Sequence, residues 1–174
     1  MLKISEQGLV RFIVGSLLAL LFAIVMTIIS PGEAKAYHKI IDQEELTCLA
    51  KNIYFEARGE NRTGQYAVGL VTLNRLKSKR FPNTICKVVK QAKYWNNNPV
   101  RNKCHFSWYC DGKSDRPKDK RAWDTALDIA HYLLLFNVED FTKGSTHYHA
   151  TYVKPKWSRE MKVATVIGSH IFYE

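Results

Sequence analysis

The stretch DQEELTCLAKNIYFEARGE, residues 42–60, decides how the chain is read. Asp42 followed three residues later by Glu45 is the pattern of a capping box, in which each side chain satisfies a free backbone N–H at a helix start. A helix is therefore predicted to begin near Gln43. Leu46, Leu49, Ala50, Ile53 and Ala57 recur at three- and four-residue spacing and make one apolar stripe. Gly59 is the natural stop. With successive residues about 100° apart, Glu56 falls beside Leu49 on the edge of that stripe. A carboxylate so placed loses water, which disfavours its charged form and raises its pKa. A carboxylic acid that keeps its proton near neutral pH is the group that can protonate a glycosidic oxygen. The plainer reading of Glu56 is a helix-end carboxylate paired with a basic neighbour. Glu60 lies past Gly59, where helical phase assigns no direction.

Downstream, Thr63 is predicted to cap a second helix running to about Leu76, with Ala67, Val68, Leu70 and Val71 inward. Thr84 can cap a short third helix ending near Lys90. Residues 94–118 are rich in Asn, Lys, Gly and Asp and read as a long loop held by cysteines. Helical spacing returns from Ala122 to Phe136. After Gly144 the pattern turns to β, at residues 146–149, 165–167 and 170–173, with Gly168 as a bulge between the last two. The predicted class is α+β, mainly helical with a small C-terminal antiparallel sheet region.

Upstream, Phe12 to Ile29 is an uninterrupted uncharged, mostly apolar run, preceded by Lys3 and Arg11 and followed by Ser30-Pro31-Gly32 and Ala34-Lys35-Ala36. This N-terminal apolar helix is either a cleaved signal peptide or a membrane anchor through residues 12–29, so residues 1–36 stand apart from the fold. Both readings export the bulk of the chain, because the positive charge precedes the apolar run. Cys48, Cys86, Cys104 and Cys110 all lie beyond it. Four cysteines in an exported part read as two disulfides, with three pairings open. A structural zinc site lacks the close cysteine pair it needs.

Composition narrows the class further. The 174 residues carry 26 Lys+Arg against 16 Asp+Glu, a formal charge of +10, with 46% apolar residues. That excludes a disordered tail or a collagen-like chain. From Asn61 to Cys110 there is no Asp or Glu but ten Lys or Arg, so the basic excess is concentrated and asks for an anionic partner.

Several motifs occur in a fixed order: Cys48-Leu-Ala-Lys-Asn-Ile-Tyr-Phe-Glu-Ala-Arg-Gly-Glu60, Gly64-Gln-Tyr-Ala-Val-Gly69, Leu73-Asn-Arg75, Phe81-Pro-Asn-Thr84, Cys104-His-Phe-Ser-Trp-Tyr-Cys-Asp-Gly112 and Ile167-Gly-Ser-His-Ile-Phe172. Together they resemble the SleB/CwlJ-type cell wall hydrolases, over residues 46–173. The four-cysteine version is similar to the branch found in Gram-negative bacteria and their phages. The resemblance implies a lysozyme-like α+β fold that cuts the peptidoglycan glycan strand between N-acetylmuramic acid and N-acetylglucosamine. It implies that the first Glu of Tyr-x-Glu-Ala-Arg-Gly-Glu, here Glu56, is catalytic, and that no metal or cofactor is required. It also implies a lytic transglycosylase, in which the muramic acid's own 6-hydroxyl closes an anhydro ring. That mechanism needs one carboxylate, whereas a two-carboxylate glycosidase needs a second about 5–9.5 Å away. Glu60 is the nearest candidate in sequence, and Asp111, Asp124 or Asp128 can approach in space.

Arg58, Glu60, Gln65, Asn74, Tyr148, Trp157 and His170 are the candidate substrate-binding residues. Each also has a structural reading. Arg58 can close a helix-end salt bridge, Gln65 and Asn74 can tie loops, the aromatics can be core, and His170 can be a satisfied buried histidine. Two rivals remain at this level. His147, His149 and His170 with Glu56 could bind zinc in a stem-peptide amidase or endopeptidase. The basic stretch with Tyr94, Trp95, Phe106, Trp108 and Tyr109 resembles a single-stranded nucleic-acid surface, but export past a membrane makes peptidoglycan, itself anionic through stem-peptide carboxylates, the better partner. A bacterial wall-remodelling enzyme and a phage endolysin fit the sequence equally.

Overall fold

The computed structural model describes residues 41–174. The apolar run of residues 12–29 and the whole segment 1–36 lie outside the described residues. No helix among the described residues is long and apolar enough to cross a membrane.

Helix α1, Gln43–Ala57, is the central element and packs against three other helices. Asp42 caps it as its spacing predicts, accepting the N–H groups of Glu44 at 2.7 Å and Glu45 at 3.3 Å. Glu45 does not reach back to Asp42. Its carboxylate accepts the N–H groups of Ile85 and Cys86 at 2.5 and 3.3 Å, so it caps the short helix α3, Ile85–Val89, together with Thr84. The stripe residues Leu46, Leu49, Ala50, Ile53 and Ala57 are all buried. Within this apolar contact Asn52 is fully buried and satisfied at both ends: its amide donates to the Thr72 hydroxyl at 2.9 Å and its carbonyl accepts from the Trp108 indole at 3.1 Å.

Helix α2, Arg62–Lys77, begins two residues before the expected start. Asn61, not Thr63, holds the first turn by accepting the Gly64 N–H at 2.9 Å, in keeping with the stronger N-cap preference of Asn. Helix α4, Lys120–Leu135, is capped by Asp119, whose N–H, with that of Lys118, donates to the Tyr54 hydroxyl of α1 at 3.0 and 3.1 Å.

Of the segment 94–118 read as a loop, the part up to Cys110 is mostly regular secondary structure, while residues 111–118 are loop. Strands β1, Ala92–Trp95, and β2, Asn98–Cys104, form an antiparallel hairpin. Asn96 and Asn97 make its two-residue turn at φ 46° and 60°, a left-handed conformation that Asn tolerates better than most residues. A 3-10 turn at Ser107–Cys110 comes next. The disulfides are Cys48–Cys86, tying α1 to α3, and Cys104–Cys110, tying β2 to the 3-10 turn.

Strands β3, His147–Ala150, β4, Val163–Ile167, and β5, His170–Tyr173, form an antiparallel sheet in the order β3-β5-β4. Tyr148 pairs with Phe172 and Ala150 with His170, so these four share one face; His147 and His149 share the other with Tyr173 and Ile171. Gly168, φ 56°, lies in the two-residue turn joining β4 to β5, not in a bulge; the irregularity of β4 sits instead between Val163 and Thr165. Helices around α1, with a hairpin inserted before α4 and a small antiparallel sheet last, make the α+β, lysozyme-like architecture expected from the sequence.

Candidate active site

Glu56 occupies the last turn of α1 at the floor of a cleft of about 720 Å3. One wall is β3 and the start of β5, with Tyr148 and His170; the other is the 3-10 turn and the loop after it, with Trp108, Asp111 and Asp115. Phe55 stacks on Trp108, with ring centres 4.8 Å apart, so the neighbour of Glu56 on α1 also fixes the far wall.

The Tyr148 hydroxyl donates to Glu56 Oε2 at 3.1 Å. Because Tyr148 faces α1 through the sheet pairing, this bond joins the helical half of the fold to the β half at the carboxyl itself. Burial raises the proton affinity of Glu56; the Tyr148 hydrogen bond and the Arg75 guanidinium oppose the rise without cancelling it. The C-terminal end of a helix adds in the same direction as burial, since its partial negative charge disfavours a carboxylate. The phenol of Tyr148 is pushed well above its ordinary range by burial and by Glu56, so it remains a donor. The arrangement presents one carboxylic acid, protonated more readily than usual, held by one hydroxyl and open to a cleft.

His170 stands edge-on to the Tyr148 ring at 5.2 Å. Burial holds its imidazole below ordinary proton affinity, against the opposing pull of Glu60. Glu60 turns away from the cleft into the fold: its Oε2 accepts the Ser169 N–H at 3.0 Å and its Oε1 lies 3.9 Å from His170 Nδ1. It clamps the β4–β5 turn. Gln65 donates to the Glu60 carbonyl at 3.0 Å, and Asn74 reaches Asp140, Thr142 and the Ser145 carbonyl at 2.9 to 3.2 Å. Both fasten loops. Trp157 lies on the other face of the sheet, against His147, His149 and Tyr173. Arg58 lines the cleft with its guanidinium 5.0 Å over the Tyr54 ring. Of the sequence candidates, Glu56, Arg58, Tyr148 and His170 thus meet at the cleft, and Glu60, Gln65, Asn74 and Trp157 make internal contacts.

The histidine set for zinc does not assemble. His147 and His149 face away from His170, and His149 is engaged by the Tyr173 hydroxyl at 2.7 Å and the Ala150 carbonyl at 2.9 Å. No group of three or more His, Cys, Asp or Glu among the described residues could hold a metal ion. Asp124 is exposed and paired with Lys120, Asp128 is exposed, and neither lines the cleft. Asp111 and Asp115 do line the cleft. Sequence reasoning passed over two contributors: Asp115, and Arg75, whose position on the apolar face of α2 four residues after Val71 was the available signal.

The sequence model of the Cell Wall Hydrolase family matches residues 59–173, beginning three residues after Glu56. The chain is 47% identical over 132 residues to a spore cortex-lytic enzyme of Bacillus subtilis, covering 75% of this chain and 37% of the relative. It is 31% identical over 131 residues to that of Halalkalibacterium halodurans, covering 74% of this chain and 34% of the relative. The chain thus spans little more than a third of the length of these relatives. Among solved structures, the catalytic domain of the germination-specific lytic transglycosylase SleB from Bacillus anthracis superimposes with a TM-score of 0.58 at 27% identity, covering 78% of this chain and 98% of that one. The corresponding domain of the Bacillus cereus SleB protein gives a TM-score of 0.55 at 28% identity, covering 76% and 91%. With the family model matched over well more than half of its length and the motif series carried on this fold, the chain belongs to the cell wall hydrolase family.

Proposed function

We propose that this protein degrades peptidoglycan by cutting the glycan strand between N-acetylmuramic acid and N-acetylglucosamine, as a lytic transglycosylase in which Glu56 is acid and then base. The observation that carries the reading is the half-buried Glu56 carboxyl, raised in proton affinity and held by Tyr148 on the cleft floor. The acid donates its proton to the glycosidic oxygen as the bond from that oxygen to the muramic C1 breaks, and positive charge develops at C1. The Glu56 carboxylate, stabilised by the Tyr148 hydroxyl, then takes the proton of the muramic 6-hydroxyl. The 6-oxygen bonds to C1, which closes the 1,6-anhydro ring and returns Glu56 to the acid form with no water consumed. Arg58 and His170 lie where they can contact sugar substituents.

A second reading, hydrolysis by a carboxylate pair, is favoured by one observation: Asp111 and Asp115 share the cleft with Glu56, and one of them could activate water. Digestion of purified peptidoglycan followed by mass spectrometry separates the two. Anhydro-muropeptides from the parent and none from Glu56→Gln support the transglycosylase; reducing muramic ends select hydrolysis. New free amines from cut stem peptides, with activity lost to EDTA and restored by zinc, would sink both. Two disulfides among the described residues support action in an oxidising compartment. The export segment of residues 1–36, as signal or anchor, would deliver the domain to the wall, and the acid-free basic stretch supports attraction to that anionic polymer.

A further inference from the structure

Arg75 is the only lysine or arginine among the described residues that is buried, at 5% exposure. Removing a cation from water costs several kcal/mol unless partners replace the water, and here the replacement is incomplete. The Nε donates to the Thr146 carbonyl at 2.7 Å. The guanidinium carbon lies 4.7 Å from the Phe106 ring centre and 5.2 Å from that of Phe81, so aromatic faces supply part of the stabilisation. One terminal nitrogen, Nη1, is buried with no hydrogen-bond partner. The Thr146 bond and the two rings hold the guanidinium in one place, and a fixed charge shifts whatever titrates near it. Phe81, beneath the guanidinium, also packs on His105 and His147, and the charge acts on both imidazoles as well as on Glu56 and Tyr148. The anchor on Thr146, two residues before Tyr148, also fixes the strand that delivers the Tyr148 hydroxyl.

We propose that Arg75 is an electrostatic positioning residue of the cleavage reaction: its anchored guanidinium stabilises the Glu56 carboxylate that exists between donation of the proton and its return. This rests on the acid-then-base reading of Glu56. Such an intermediate is the point at which a fixed positive charge acts most, because it is already oriented and needs no reorganisation as the charge appears. The titratable and charged groups on the cleft with Glu56 are Tyr54 and Arg58 from α1 and its end, Tyr148 and His149 from β3, His170 from β5, Tyr152 after β3, and Asp111, Lys113, Asp115, Arg116 and Lys118 across it, and Arg75 acts from α2 behind the cleft. Of these, Arg75 and Tyr148 act on it most strongly.

The test is a carbon-13 NMR titration of the Glu56 carboxyl, assigned by its loss in Glu56→Gln, in the full chain and in Arg75→Gln, Arg75→Met and Arg75→Lys. Kinetics on purified peptidoglycan accompany it. Removing the charge should move the Glu56 titration to higher pH by about half a unit or more and reduce kcat by about 10- to 100-fold with KM little changed. Arg75→Lys should keep the titration near the parent's and recover most of kcat. His105 and His147, which Arg75 pushes down, should titrate higher in the charge-free variants, a reading independent of activity. The proposal is overturned by a folded Arg75→Gln in which Glu56 titrates as in the parent, or by an Arg75→Lys as slow as Arg75→Gln. If neither charge-free variant folds, Arg75→Lys decides alone: parent-like titration and turnover support the assignment, and a displaced titration refutes it. Full activity in Glu56→Gln would instead bring down the acid-then-base reading, and the titrations would be unaffected by that failure.

Discussion

The contact between Glu60 and Gly168 can be tested as a closed thermodynamic cycle. A Cβ on Gly168 would collide with Glu60 Oε2, and Gly168 also has φ 56°. Gly168→Ala therefore carries two penalties. The left-handed backbone costs about 1–2 kcal/mol with a side chain present. Displacing the Glu60 carboxylate from the Ser169 N–H loses a charge-assisted hydrogen bond of about 1.5–3 kcal/mol. Their sum is about 2.5–5 kcal/mol. Glu60→Ala alone loses the bond but leaves the turn unstrained, about 1.5–3 kcal/mol. In the double variant the collision has gone and only the backbone term adds to the Glu60 loss, giving about 2.5–5 kcal/mol. Simple addition of the single variants predicts about 4–8 kcal/mol, so the coupling is the twice-counted Glu60 loss, about 2 kcal/mol. Urea unfolding measures it directly. In a domain of this size each kcal/mol lowers Tm by about 4 °C. The turn also sets His170, which packs on Tyr148, so wall digestion by the single variants should fall further than their lost stability explains. Additivity of the two substitutions within about 0.5 kcal/mol would refute the clamp.

Tyr148→Phe removes the hydrogen bond that stabilises the ionised form of Glu56. Turnover should fall about 10- to 100-fold, and the alkaline limb of the pH–rate profile should move up; a downward move contradicts the assignment. Burial raises Glu56 above its unfolded pKa, so its contribution to stability is complete below that value and is lost as pH rises through the folded one. Glu56→Gln should therefore raise Tm near pH 7, with the gain fading as pH falls towards the ordinary carboxyl range near 4.5. A calorimetric gain that is the same at both pH values counts against the raised affinity. Breaking Cys48–Cys86, which closes 38 residues of sequence, should cost about 4 kcal/mol on a chain-entropy estimate, measured by unfolding with and without reductant.

Range decides how much of the structure is legible in the sequence. Helix α1, its Asp42 cap and its buried stripe rest on residues within one or two turns of each other, and so does the phase of Glu56. The hairpin β1–β2 is hard to read because its signals are weak: Asn96 and Asn97 make the turn without glycine, Pro99 interrupts β2, and most of its residues are exposed, so no alternation shows. Asn61 and Thr63 are both good cap residues two positions apart, and local pattern does not choose between them. The site depends on non-local pairing. Which histidines face Tyr148 is fixed by the register of β3 on β5, and Glu60 finds its direction from a turn 109 residues away. No local pattern contains either fact.

One acid that must give a proton and then recover one needs an intermediate proton affinity, since a stronger hold slows donation and a weaker hold slows recovery. Burial and the helix end push Glu56 in one direction, and Tyr148 and Arg75 push it in the other. The fifty acid-free residues from Asn61 to Cys110 bear on this balance. They supply Arg75, which acts on Glu56 from α2, and no competing carboxylate. Among the described residues, the acids on the cleft besides Glu56 come from the loop after Cys110, where Asp111 is itself paired with Lys113 and Asp115 is influenced by Lys51. Under the proposed acid-then-base reading, a buried cation acting on Glu56 and an Asp111 already paired with Lys113 speak for the substrate's own hydroxyl, rather than an activated water, as the group that closes the reaction.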